Sequence, residues 1–345
     1  MLNLSNRYYN WTKGIDFNLL YKDIYFEPVY GKLCEIIEEG TAEIFHLETA
    51  DGIISNMFLK KHLPADLDPE QKYFDLSTPY GYGGPLILEL KGDKTKLVTE
   101  YEHQFSQYCM DNNIICEFIR FHPLIRNYLD FEEIIDTHFL RKTVATVVKG
   151  STDPFMEEFN RSARKSIRRV LQKDFSYEII DRPDNLNQFI RIYQDTMDRN
   201  KAKGFYYFPP EYFDALLKSF RDNVLNINVF VEDTCIASGL YFVYNNFLHA
   251  HLSGTLSEYL EFSPAYLLKY LTCQWGKEHN IDYIHYGGGT TNDPQDSLLQ
   301  FKSKFTQKGF FDYYIGKKIY NREVYDAMVN KSKKENFNYF PQYRG

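Results

Sequence analysis

Lys302 is the residue whose placement most invites chemistry. A helix turns about 100° per residue. With Leu298 at zero, Leu299 falls at about 100°, Phe301 at about 300° and Phe305 at about 340° on that wheel. Lys302 falls at about 40°, inside the apolar arc, whereas Lys304, at about 240°, lies outside it and is expected in solvent. An inward lysine must snorkel along packed rings, pair with an acid, or meet an anionic ligand such as a phosphate or a developing oxyanion.

Other residues could share such a site. Gly287-Gly288-Gly289 follows a strand-like run, where α/β sheets meet ligands, and glycines expose backbone N–H groups. A sharp strand-to-helix connection is the plainer reading. His249 and His251 alternate with Ala250 and so share one strand face. His251 is the candidate base of the two, because imidazole titrates near neutrality; a hydrogen-bonded histidine on a half-exposed sheet is the alternative. Tyr80 and Tyr82 lie in the turn PYGYGGP and could stack on or hydrogen-bond a substrate, or simply pack. Asp75, just before that turn, could orient an incoming amine or cap the turn.

The run 161–173 holds Arg161, Arg164, Lys165, Arg168, Arg169 and Lys173 without an acid. Arg164 and Arg168 are the candidate phosphate contacts; a solvated helix face is the rival reading. Ser263-Pro264 reads as a cap followed by a first helical residue. The unpaired N–H groups of such a start, at Ser263, Ala265 and Tyr266, suit a phosphate-bearing cofactor, though capped helix starts are common.

The elements that must position these residues alternate in an α/β order. In the first half, EIFHLET, ISNMFLKK and KYFDLST read as strands, KTKLVTEYEHQFSQYCMDNN as a helix, and IICEFIRFHPL and KTVATVVK as further strands. The second half opens on one helix, DPFMEEFNRSARKSIRRVLQK. Helices near 185–202 and 210–220 follow, then strands NINVFVE, CIASGLYFVY and FLHAHLSGT. It closes with the helix from Pro264, the strand IDYIHY, the helix DPQDSLLQFKSKF and the strand FFDYYIGKKIY. Both halves end strand, helix, strand, short helix, strand, which points to a remote duplication with two mixed sheets divided near 150. The tail 321–345 is expected to pack back on the first half or to fray.

Composition bounds the partners. The 345 residues are 43% apolar and 17% aromatic with 29 Tyr, enough for two cores and for ring-lined clefts. A net charge of −7 gives no overall attraction to DNA. No apolar run is long enough to span a bilayer and the start has no signal-peptide pattern, so the cytoplasm is expected. Five scattered cysteines without a CxxC pair read as reduced, mostly buried thiols. Nine histidines include no HExxH, and no metal is expected. Oligomeric state is not legible.

As an ordered set, CIASGLYFVY, FLHAHLSGT, EFSPAYLLKYLTCQWGKEHNIDYIHYGGG and DSLLQFKSKF resemble the GNAT-like domain of FemAB-type and CelD-like acyltransferases. RSARKSIRRVLQKDFSYEI resembles the opening of that family's second domain, and FDLSTPYGYGGPL and EFIRFHPL its first. The resemblance covers roughly residues 70 to 320. It implies α/β architecture with two tandem GNAT-like domains, 1–150 and 151–320, and direct acyl transfer from a donor to an amine. The implied acceptor is a cell-envelope precursor or a nucleotide-linked amino sugar. The implied donor is a coenzyme A thioester or, alternatively, an aminoacyl-tRNA. The basic loop usual for acetyl-CoA is replaced by EFSPAYLL, and no coiled-coil arm is inserted; the acidic balance and missing arm tip the expectation toward acyl-CoA. A non-catalytic precursor- or carbohydrate-binding protein on the same scaffold is the third reading. The family's Phe-Lys pair matches Phe301-Lys302, which implies a substrate-site role for that lysine.

Overall fold

The structure, a computed structural model, describes residues 22–202, 204–332, 334 and 339–345. After a 3-10 turn at Ile24–Phe26 come α1 (Pro28–Cys34), β1 (Thr41–Thr49), β2 (Gly52–His62), β3 (Phe74–Ser77) and β4 (Leu86–Leu90). Then follow α2 (Lys94–Asp111), β5 (Ile114–Arg120), α3 (Tyr128–Phe131) and β6 (Asp136–Val147). The second half contains α4 (Pro154–Glu158), α5 (Arg161–Val170), β7 (Ser176–Asp181), α6 (Asn187–Arg199) and α7 (Pro210–Phe220). It continues with β8 (Val224–Val231), β9 (Thr234–Tyr244), β10 (Phe247–Thr255), α8 (Pro264–Glu278) and β11 (Tyr283–Gly287). It ends with α9 (Ser297–Lys302), β12 (Phe310–Ile319) and α10 (Arg322–Lys331).

The strands form one sheet ordered β1-β2-β3-β5-β12-β6-β11-β10-β9-β8-β7, with β4 paired to β2. The expected duplication is written into that order. Each half contributes an antiparallel series ending in one parallel pair, β3 with β5 and β10 with β11. Each half then gives its last strand to the other: β12 pairs antiparallel with β5, and β6 pairs antiparallel with β11. The two exchanged strands pair with each other at the centre. A separate sheet in each half was expected near the boundary at 150; the exchange instead makes the sheet continuous across it.

The helices bury their apolar faces on this sheet. Leu97, Val98, Tyr101, Phe105 and Cys109 of α2 pack with Phe45, Phe58 and Ile114 in the first half. Leu267, Leu268, Leu271 and Trp275 of α8 pack with Ile167, Ile227 and Ile284 in the second. The segment Ile24–Tyr30 crosses the seam to join Phe189, Tyr212 and Phe213 of α6 and α7. All five cysteines are buried and free.

Two local expectations need correction. The single helix expected over 153–173 is broken at Phe159, which is extended at φ −74° and ψ 134°. Asn160 restarts the helix by accepting Ala163 N–H at 2.8 Å, a cap worth more there than helix continuity. Ser263 makes no side-chain cap; it adopts φ +48°, a left-handed conformation that turns the chain into Pro264.

The tail lies against the first half, where Tyr325 and Tyr343 bury with Leu63, Leu67, Ile115 and Cys116. Asp75, 2% exposed, is the polar anchor: it accepts from Tyr343 Oη at 2.9 Å and Arg344 Nε at 2.7 Å. Burial pushes its carboxyl up, and Arg344 works against that. Arg344→Ala should strand a buried carboxylate and cost about 3 kcal/mol, as for other broken buried pairs. Urea unfolding of the variant measures this; a change within about 0.5 kcal/mol, the ordinary surface range, would mean that the pair anchors nothing.

Candidate active site at the seam

The parallel pair β10–β11 shares only Phe247↔Tyr283, Leu248↔Ile284 and His249↔His285. Beyond these, β10 bulges between Ala250 and Leu252 and stays with β9, while β11 ends at Gly287. Gly287 has φ +72°, which a side chain rarely tolerates, and it turns the chain out of the strand. A Cβ at Gly287 would stand 3.7 Å from both Lys302 Nζ and Tyr82 Oη, so both groups border the turn. Lys302 Nζ donates to Gly288 O at 2.6 Å, and Arg141 Nη1 donates to Gly289 O at 2.8 Å.

Asp296 fixes this turn to α9. It accepts from the backbone and hydroxyls of Thr290 and Thr291 and caps Leu298 and Leu299, and those bonds hold its carboxyl well below the usual range. Burial lowers the Lys302 ammonium to about 8, with Asp296 opposing and Arg141 adding to the fall. Among the described residues no carboxylate pairs with it. Tyr313, between Arg120 and Arg141, closes the site beside Tyr82, at 5.4 Å between ring centroids.

Behind Tyr82 lies a hub of four buried polar residues, Asp23, His122, His249 and His285. Asp23 Oδ2 accepts from His122 Nε2 at 2.8 Å and His249 Nε2 at 2.6 Å, while Oδ1 accepts Ile24 N–H at 2.7 Å. Burial works to raise the Asp23 carboxyl, but the two histidines win and hold it well below its ordinary range. His122 Nδ1 accepts Ile125 N–H at 3.1 Å, so a neutral His122 carries its proton on Nε2. Asp23, His122 and His249 present ligand-type atoms close together, but they do not fit a metal. His122 Nε2 holds a proton where a lone pair is needed. The separations of 2.6 and 2.8 Å are hydrogen-bond lengths; tetrahedral ligands at about 2.0–2.2 Å from zinc stand roughly 3.3–3.5 Å apart.

The residues singled out in the sequence divide sharply. Lys302, Gly287, Gly288 and Tyr82 come together. His251 does not join them: it accepts or donates with Tyr212 Oη at 2.9 Å, stacks on Phe242 at 4.2 Å, and burial lowers it to about 3. Tyr80 packs beside it on Phe208 and gives its carbonyl to Tyr30 Oη. Asp75 is spent on the tail. Arg164 Nη1 is spent on Met156 O and Phe159 O, while Arg168 is exposed beside Met156 Sδ. Ser263 and Ala265 start α8; Tyr266 packs on Phe301 and Phe305 and accepts from Lys304 Nζ at 3.0 Å. Lys304 is therefore half-buried rather than in solvent, because α9 tightens into a 3-10 turn at Ser303–Phe305 and shifts the wheel.

Asp23, His122, His285 and Lys269 were missed. The first three come from separate elements, so no spacing joins them. Lys269 lies about 200° from Leu267 on the α8 wheel, outside the apolar arc, yet its Nζ stands 4.0 Å over the Tyr286 ring at 9% exposure.

Burial, and secondarily Lys302, lowers Lys269 to about 7 from 10.5. Between those values the unfolded chain holds a proton that the folded one has lost, so wild-type stability rises with pH across this window. Below it the buried charge costs its full amount. Lys269→Met should therefore stabilise the protein near pH 6 by on the order of 2 kcal/mol, and the gain should shrink toward pH 10. Denaturant midpoints at both pH values check this; a gain equal at both would refute the buried-charge account.

Residues 133–302 match the family described as Acetyltransferase (GNAT) domain. A UDP-N-acetylmuramoylpentapeptide-lysine N(6)-alanyltransferase of Weissella viridescens is 23% identical over 50% of this chain and 51% of its own length. The chain thus spans about half the length of the curated relative it matches. Among solved structures, FemX superposes with a TM-score of 0.64 at 13% identity, covering 88% of this chain and 94% of that one. The C-terminal domain of a putative lysylphosphatidylglycerol synthetase from Agrobacterium fabrum gives 0.54 at 11% identity, covering 89% and 95%. L-PGS from Bacillus licheniformis gives 0.52 at 14%, covering 87% and 95%. The domain match thus places residues 133–302 with the Acetyltransferase (GNAT) domain family, and the superpositions show that the chain shares its fold with FemX.

Proposed function

We propose that this protein transfers an aminoacyl group from a charged tRNA to an amine of a cell-wall precursor. The observation that carries the reading is Lys302, held over the Gly287–Gly288 turn near Tyr82 with no carboxylate among the described residues in a salt bridge to it. Acyl transfer passes through a tetrahedral oxyanion, and a fixed ammonium in a dry site stabilises that charge far more than it would in water. The match to an alanyltransferase supports an aminoacyl donor over the acyl-CoA favoured on composition. Lys165, Arg168 and Arg169 on the exposed face of α5 offer the cations that a polyanionic donor needs. We read residues 1–150 and 151–320 as the two GNAT-like units, with their last strands exchanged. The reaction belongs in the cytoplasm, where charged tRNA is found. No described helix is long and apolar enough to cross a membrane.

An acyl-CoA donor is the second reading, favoured by the divergence of β10 and β11 after His249↔His285. Strands that splay expose backbone groups to which a pantetheine arm could hydrogen-bond. Ribonuclease separates the two: transfer from alanyl-tRNA to UDP-N-acetylmuramoylpentapeptide should vanish on treatment, and transfer from a thioester should not. Turnover with neither donor class would favour a binding protein and overturn both enzyme readings.

Lys302→Met keeps most of the stem and removes the charge. It should lower kcat by about 10²–10³-fold, the usual cost of a lost oxyanion donor. Full turnover in a folded variant would end this assignment. Charge reversal at Arg168 and Arg169 should weaken tRNA binding and flatten its dependence on salt. Identical affinities at low and high salt would return α5 to a solvated face.

A further inference from the structure

We infer that Asp23, His249 and His285 form a proton relay whose outer nitrogen, His285 Nε2, takes the proton of the attacking amine. The inference rests on the acyl-transfer reading and adds to it a catalytic residue and two positioning residues.

The chain of donors dictates the tautomers. Ionised Asp23 can only accept, so His249 Nε2 must donate to it, at 2.6 Å. A neutral His249 then offers a bare Nδ1. That atom lies 3.3 Å from His285 Nδ1, so His285 donates there and keeps its lone pair on Nε2. Nε2 is buried and has no hydrogen-bond partner, the one nitrogen of the three hub histidines so left. A buried orphan is costly and calls for a partner that arrives with function.

His285 also lies beside the reacting groups. The Lys302 charge reaches its ring and lowers its proton affinity, and two residues on, past an irregularity in the strand, Gly287 borders Lys302 Nζ and Tyr82 Oη. The Tyr82 ring packs beside that of His285, at 5.5 Å between centroids. Tyr82 sits between Gly81 at φ +98° and Gly84 at φ +82°. An acceptor amine reaches Nε2 by displacing that ring from the Gly287 side.

The step balances. The amine enters neutral, having left its ammonium proton to solvent. Its nitrogen bonds the donor's carbonyl carbon and passes a proton to Nε2. The carbon–oxygen bond to the donor ribose breaks with its electron pair, and that oxygen takes the proton back from Nε2. His285 ends as it began. Burial, with His249 and His122 adding to it, keeps imidazolium unfavourable here, so the proton is handed on rather than held. Asp23, reached through His249, offsets the transient charge.

Two measurements test this. Histidine-selective 15N NMR of the whole protein near pH 7 should show His285 protonated on Nδ1 and bare on Nε2. A protonated Nε2, with His249 as imidazolium, overturns the relay whatever the activity. With alanyl-tRNA and UDP-N-acetylmuramoylpentapeptide, His285→Gln should lower kcat by about 10²–10⁴-fold, the range for a general base, with KM for the tRNA within about threefold of wild type. His285→Ala should regain turnover with free imidazole, which a merely structural histidine would not allow. Undiminished kcat in His285→Gln, or no rescue of a folded His285→Ala, overturns the catalytic role. Absent turnover in the wild type is instead failure of the transfer reading, and it removes the catalytic role while NMR still decides the relay.

Discussion

The structure depends on a reciprocal exchange of two strands. A parallel pair such as β10–β11 leaves one edge of β11 unpaired, and β3–β5 leaves one edge of β5. Open edges inside a core would strand backbone N–H and C=O groups. Each half closes the other's edge, β6 on β11 and β12 on β5. The halves cannot part without breaking both ladders and the central β6–β12 pairing. That rigidity lets residues distant in sequence keep hydrogen-bond geometry at the seam. Asp23 comes from the N-terminal segment, His122 from just beyond β5, His249 and His285 from β10 and β11. Their donor–acceptor distances tolerate errors of only a few tenths of an ångström.

The seam is also where the fold gives up stability. Lys269 and Lys302 are charged groups with lowered affinity for protons, and Arg120 and Arg141 each leave a buried Nε unpartnered. Such groups are expensive in a packed interior. Aromatic rings offset part of the cost: Tyr286 lies under Lys269, and Tyr25, Tyr82 and Tyr313 surround the hub. The high aromatic content thus has a physical use here. Rings bury large areas while presenting polarisable faces and hydroxyl tips to charges.

Much of the element order was legible because it rests on local periodicity. The strands NINVFVE, CIASGLYFVY and FLHAHLSGT became β8, β9 and β10, and the helices over 185–202 and 210–220 became α6 and α7. β4 and β7 went unread, being a short, peripheral strand and an edge strand with mostly exposed side chains. The exchange of β6 and β12 was invisible, because partner choice is a long-range property that alternation does not encode. Lys302 was legible since its own helix buries it. Lys269 was not, because α8 is covered on more than one face. The histidine pair on β10 was read as sharing a face. The bulge after Ala250 then sends His251 to Tyr212 and leaves His249 on Asp23. A one-residue irregularity, with no mark in the sequence, decided which histidine reaches the site.

One glycine sets the division of labour at the site. His285 lies two residues before Gly287 on β11, with an irregularity between them, and Gly287 borders Lys302 Nζ and Tyr82 Oη. A residue with a Cβ would have to hold φ +72°, and relaxing that angle would redirect the turn that supplies Gly288 O to Lys302. The cation and the bare imidazole nitrogen are therefore placed by the same backbone turn. In the proposed transfer they would carry opposite tasks: one offers fixed positive charge, the other a lone pair. Had both been imidazoles or both ammonium groups, mutual repulsion in so dry a place would have deprotonated one of them. Holding a charged group on α9 and a neutral one on β11 avoids that conflict. In the proposed transfer the carbonyl oxygen would turn toward Lys302 and the attacking nitrogen toward His285.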